Sequence, residues 1–123
     1  MPSFTLTARV VLHKDDARTE EHSPDADEYE TLHAEMRRRD YRRYFINQND
    51  EMKKLPPGLY RIKLKADDWD DASSKAMKKA KEAATIATSK NRFSIVITGG
   101  DGVRGVGLET ITEDPDEDTL IDP

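Results

Sequence analysis

Arg9, Arg61, Lys63 and Lys65 are the cations whose spacing lets them act together. Alternate residues of a strand share a face, so Arg61, Lys63 and Lys65 form one row when Tyr60, Ile62 and Leu64 point to a core. Such a row suits contacts to phosphates. Arg42 and Arg43 stand among Tyr41, Tyr44 and Phe45. That mixture offers phosphate binding with aromatic stacking, the register deciding which rings face outward. His13, followed by Asp15 and Asp16, is the candidate for proton transfer. An imidazole beside carboxylates serves general acid–base catalysis or holds a divalent ion. In a metal-free ribonuclease, arginine or lysine would stabilise the developing phosphorane charge while His13 with Asp15 or Asp16 moves the proton. His33 falls on an apolar helical stripe and reads as packed, whereas His22 lies in an acidic loop and reads as exposed.

Two other clusters have simpler readings. Asp67, Asp68, Asp70 and Asp71 surround Trp69 just before a helical pattern. A helix N-terminus attracts acids by electrostatics alone, so they read as caps (Asp70, Asp71 or Ser73), with Trp69 packed under the helix start and no metal assigned. Gly99-Gly100-Asp101-Gly102 follows a strand but opens no helix and precedes no Gly-Lys-Ser/Thr, so it reads as a tight turn rather than a phosphate cradle. Val103–Leu108 would then return as a short fifth strand. No cofactor is implied.

The elements that must carry these residues follow from apolar period. Phe4, Leu6, Ala8, Val10 and Leu12 alternate, placing Thr5, Thr7, Arg9, Val11 and His13 on the other face. Tyr29, Leu32, His33 and Met36 form one helical stripe, and Ala76, Met77, Ala80, Ala83, Ala84 and Ala87 form another. Ser23-Pro24, or Asp25 with Glu28, would open the first helix. Strand-like runs cover Tyr41–Asn47, Leu59–Lys65 and Phe93–Thr98, with turn chemistry from Asn47 to Gly58. The order β-α-β-β-α-β is that of a ferredoxin-like α+β sandwich, two helices covering one face of an antiparallel sheet. Its first and third strands are central, which would set Arg9 beside Arg61–Lys65.

A chain of 123 residues, 35% hydrophobic and 37% charged, supports one domain with a modest core. No apolar run approaches the roughly 18 residues of a membrane span. Zero cysteines leave no disulfide or thiolate chemistry, and Met1-Pro2-Ser3-Phe4 shows no basic-then-apolar leader, so a cytoplasmic protein is expected. The net charge of -5 is uneven. Residues 109–123 hold seven acids and no Lys or Arg; setting those seven aside leaves 18 acids against 20 basic residues, a body near +2. The expected division is a domain over 1–112 and a disordered acidic tail over 113–123.

Several segments resemble one family. Phe4-Thr5-Leu6, Val11-Leu12-His13, the run Glu28–Met36, Ala80-Lys81-Glu82-Ala83-Ala84, Phe93–Thr98 and Gly107-Leu108-Glu109 look like the GhoS-type proteins of bacterial type V toxin–antitoxin systems, in order over about 100 residues. That family is similar in fold to the small ferredoxin-like CRISPR-associated nucleases. Its named member is an endoribonuclease antitoxin that cuts the messenger of a membrane-toxic partner. The chain departs from it in a longer Lys14–His22 loop, in Lys63-Leu64-Lys65 where a Leu-Pro segment is expected, and in the acidic tail. The resemblance implies an RNA-directed bacterial or phage regulatory protein, either cleaving a toxin messenger or only binding RNA, and a homodimer is expected. The alternative is a non-enzymatic module that dimerises and binds a partner protein through its free sheet face or edge strand.

Overall fold

The computed structural model describes residues 2–23, 26–88, 91–100 and 104–116. Its elements run β1 (Ser3–Leu12), α1 (Asp27–Arg38), β2 (Tyr44–Ile46), β3 (Met52–Lys54), β4 (Leu59–Lys65), α2 (Trp69–Ala87), β5 (Phe93–Gly99) and β6 (Thr110–Ile111). The fold is α+β, with two three-stranded antiparallel sheets ordered β4-β1-β5 and β2-β3-β6. Among the described residues, no helix is long and apolar enough to cross a membrane.

The alternating pattern of β1 decides the architecture. Leu6, Ala8, Val10 and Leu12 are fully buried, joined by Tyr60 and Ile62 of β4 and by Tyr29, Leu32 and Met36 of α1. Every fully covered position of α2 is alanine: Ala72, Ala76, Ala80, Ala83, Ala84 and Ala87. Both helices therefore lie on the Leu6 side of the first sheet. The Tyr29 hydroxyl accepts the Leu12 N–H at 3.0 Å, and the Tyr41 hydroxyl donates to the Ala76 carbonyl at 2.8 Å. The first bond satisfies a buried strand N–H, and the second gives the buried Tyr41 hydroxyl an acceptor.

Gly58 lies tightly against β1. Its carbonyl accepts the Val10 N–H at 2.8 Å, its φ is +88°, and an added Cβ would lie 2.9 Å from the Val10 carbonyl oxygen. Gly58→Ala is expected to lower unfolding free energy by about 1–2 kcal/mol, seen as a lower urea midpoint with an unchanged slope.

Several boundaries differ from the sequence expectation. The N-cap of α1 is Ala26, with no side-chain cap, and Ser23 instead accepts the Ala26 N–H through its carbonyl. Pro24 and Asp25 lie outside the described residues. Three first-turn acids, Asp27, Glu28 and Glu30, stabilise this end through the helix dipole. α2 is capped by Asp68, not by Asp70, Asp71 or Ser73: its carboxylate accepts the Asp71 N–H at 2.8 Å, and the Asp71 carboxylate accepts the Asp67 N–H at 3.0 Å. Two adjacent turns of chain are thus satisfied reciprocally. Trp69 is 46% exposed, but the edge of its ring covers Gly99, where a Cβ would lie 2.3 Å from Cζ3.

The expected strand Tyr41–Asn47 is divided. Tyr41 turns into the core, Arg42 makes one bridge to Arg61, and only Tyr44–Ile46 continues as a strand, pairing with β3. The expected Asn47–Gly58 turn is really a hairpin, the Asn47 side-chain carbonyl accepting both the Asn49 and Glu51 N–H groups, followed by β3. Residues 104–109 form no strand, contrary to the expected Val103–Leu108, and Val103 is outside the described residues. Gly107 takes φ +73°, Leu108 folds over Gly105, and pairing begins only at Thr110–Ile111 with Lys53 and Met52. The segment 113–116, expected in the tail, is laid onto the body, with Asp116 6% exposed. Residues 117–123 lie outside the described residues.

Candidate functional site

The β1–β4 register pairs Ser3 with Lys65, Thr5 with Lys63, Thr7 with Arg61 and Arg9 with Leu59. Because cross-strand partners share a face, Arg9, Arg61, Lys63 and Lys65 all stand on the side opposite the helices. The β1–β5 register adds Thr98, Val96 and Ser94 opposite Thr7, Arg9 and Val11. β1, β4 and β5 contain no Asp or Glu, in a chain with 25 of them. The face is therefore cationic and lined with hydroxyl groups. Arg61 extends along this face, 3.4 Å from the Thr7 hydroxyl and 3.4 Å from the Gly100 carbonyl.

Where β2 leaves the edge of β4, an open groove is lined by Thr5, Arg42, Tyr44, Ile46, Arg61, Ile62 and Lys63 and by one acid, Asp40. Of the three candidate stacking rings, Tyr41 and Phe45 are buried, and Tyr44 is the half-buried one that reaches this groove. Three cations around a phenol ring can hold phosphates while a base stacks between them.

The remaining candidates are not gathered here. Arg43 grips Asp116 with two bonds of 2.7 Å, both side chains nearly covered. Arg42 donates to the Tyr41 carbonyl at 3.3 Å and stands 3.8 Å from Asp114, which receives Arg37 Nε at 2.7 Å. Arg43 is thus part of a structural ion pair, and Arg42 is shared between the groove and the Asp114 carboxylate.

His13 is 6% exposed, and its Nε2 lies 2.9 Å from the Ser94 hydroxyl. Asp15 turns into its own loop. It accepts the Thr19 and Glu20 N–H groups and the Thr19 hydroxyl, and these bonds, led by the hydroxyl, hold its carboxyl below the usual range. Asp16 accepts Arg92 Nε at 2.7 Å. The loop these bonds build folds back through a bridge between His13 and Glu21. His13 also stands six residues along β1 from Thr7, the partner of Arg61, about 20 Å at ~3.3 Å per residue. One phosphate cannot touch both.

His22 lies 3.7 Å from Glu28, and its side chain is only 20% exposed. His33 is packed as expected, its Nδ1 2.7 Å from the Tyr60 hydroxyl. Among the described residues, no three His, Asp or Glu side chains are grouped to hold a metal ion. Ser94 and Thr98 were the site residues that sequence reasoning missed; the same alternation that assigned β1 would have found them on β5. No protein-family model, curated protein or solved structure matches this chain.

Proposed function

We propose that this chain is an RNA-directed regulatory protein of the GhoS type that binds single-stranded RNA on the helix-free face of its first sheet. The observation that carries the reading is the segregation of charge: four cations and no acid on the three strands of that face. Lys63, Arg61 and Arg9 hold successive phosphates, Lys65 extends the row, and Tyr44 with Arg42 receives a base at the groove. A ferredoxin-like reading is supported by the strand order. β1 is central between β4 and β5, and a single bridge joins Arg42, two residues before β2, to Arg61 of β4; counting that bridge as a reduced fourth strand would make β1 and β4 the central pair. The β2-β3-β6 sheet is an addition to that unit. Binding is favoured over endoribonucleolytic cleavage, because the imidazole that would move the proton is covered and bonded to Ser94.

The test is fluorescence anisotropy with a labelled single-stranded RNA pool, titrated at several salt concentrations. Each phosphate contact on a single strand contributes about -0.7 to the slope of log K against log salt, so Arg61→Ala/Lys63→Ala should flatten it by about 1.4. Tyr44→Ala should weaken binding about tenfold with little change in slope. An unchanged slope and affinity in the double variant would remove the proposal.

A further inference from the structure

We infer that the outer edge of β5 is a self-association surface, joining two copies of this chain into one continuous antiparallel sheet. β5 pairs with β1 on one side and ends the first sheet on the other. The direction of its backbone groups follows from the ladder. His13 donates to the Arg92 carbonyl and Gly100 donates to the Thr5 carbonyl, so the residues bonded to β1 between them are Ser94, Val96 and Thr98. Phe93, Ile95, Ile97 and Gly99 turn their N–H and C=O groups away from β1.

One end of this row is already occupied. Arg18 Nε donates to the Phe93 carbonyl at 3.0 Å and to the Asn91 carbonyl at 3.1 Å. Among the described residues that leaves Ile95, Ile97 and Gly99, a set symmetric about Ile97. A two-fold axis through Ile97 pairs Ile95 with Gly99 of the second copy, Ile97 with its own counterpart, and Gly99 with Ile95. Each pair exchanges two backbone bonds. An edge meant to remain solitary usually carries a charge, a proline or a bulge; Phe93-Ser94-Ile95-Val96-Ile97-Thr98-Gly99 has none.

The side chains beside the edge fit the same occupant. Trp69 is 46% exposed over Gly99, where the second copy's Ile95 would arrive, and Val96 is 56% exposed on the open face. A second copy would set its Ile95 beside Trp69 and its Thr98, through the methyl group, beside Val96. It would also place the two β4 rows of cations on one surface, five strand spacings or about 24 Å apart.

The test uses the full chain. In sedimentation velocity at about 100 μM the wild type should run as a dimer, twice the 14.0 kDa of the chain. Val96→Lys/Thr98→Lys puts like charges directly opposite one another in the paired edges, on exposed positions that leave the monomer core untouched. This variant should be monomeric, with an unchanged circular dichroism spectrum. In residue-resolved hydrogen exchange, the Ile95, Ile97 and Gly99 amides should be slow in the wild type and fast in the variant. The Ser94, Val96 and Thr98 amides should be slow in both. A monomeric wild type, a variant that remains dimeric, or fast Ile95 and Ile97 amides in the wild type would each overturn the inference. RNA binding is scored separately with Arg61→Ala/Lys63→Ala, whose changes lie on β4, two strands from this edge: loss of RNA binding with the dimer retained separates the two proposals.

Discussion

Asp116→Ala is expected to cost about 3–5 kcal/mol of folding free energy, the largest effect of any single substitution considered, because it leaves Arg43 charged and covered with no partner. The guanidinium makes two parallel bonds of 2.7 Å to this carboxylate, the geometry in which arginine binds most strongly. The Asp116 N–H also donates to the Asp114 carboxylate at 2.9 Å, and Asp114 holds Arg37. The loss therefore propagates along one connected network rather than stopping at one pair. For a domain of this size each kcal/mol lowers the melting temperature by roughly 3–6 °C, so a fall of at least ~10 °C is anticipated. Asp116→Asn, which retains one acceptor oxygen, should lose less. Replacing both partners, as in Arg43→Met/Asp116→Leu, should recover most of the stability, since the cost arises from an unpaired charge and not from the absence of the pair. Urea melts of the wild type, Arg43→Met, Asp116→Leu and the double variant form a double-mutant cycle, with Asp116→Ala and Asp116→Asn measured beside it. A midpoint for Asp116→Ala equal to that of the wild type would show that the contact is not held in solution.

The second large effect is acid destabilisation through His33. Burial, with the Arg43 charge adding to it, pushes its pKa down from 6.5 to about 4. Burial also raises the Tyr60 phenol, which therefore stays protonated and donates to the neutral His33 Nδ1 at 2.7 Å. Between pH 6.5 and 4 the unfolded chain binds a proton here that the folded chain does not. The folded state keeps its full stability above pH 6.5 and loses it progressively as pH falls toward 4. Allowing for the partial exposure of the ring, the loss is on the order of 2 kcal/mol. His33→Gln, which can still accept the Tyr60 hydroxyl, should flatten stability over that window. An NMR titration of the His33 ring should give a midpoint near 4; a midpoint near 6.5 would refute the argument. The upper part of the window, from pH 6.5 to about 5, lies above ordinary carboxylate pKa values, so the slope there reports on His33 with least interference from the acid clusters.

The parts of the fold that were legible in sequence are those with a repeating period. β1 alternates over ten residues, β4 over seven, and both helices present a stripe, so each was located close to its true limits. β2, β3 and β6 have three, three and two residues. No period can be read in so few positions, and the pairing of β3 with β6 depends on residues about 60 apart in the chain meeting in space. The basic row was legible for the same reason as β1. Arg43 was not, because its partner is 73 residues later in a stretch that reads as a solvated acidic tail. Opposite charges far apart in sequence leave no local sign of their pairing. His13 stands one residue beyond β1, and its pairing with Glu21 depends on the Asp15 loop folding back, which composition alone presents as an exposed polar linker.

The alanines of α2 define where this domain can tolerate change. A helix whose buried positions are all methyl groups approaches its neighbours' backbones closely, and the Tyr41 hydroxyl reaches the Ala76 carbonyl. Alanine also surrenders no rotamer freedom on burial, so a chain with few large apolar residues can still close its core. The same closeness leaves no room for growth: any larger residue at Ala76, Ala80 or Ala84 acts as a wedge between helix and sheet. Chemically, α2 is the plainest element of the protein. Over generations of mutation it would be the one least free to drift.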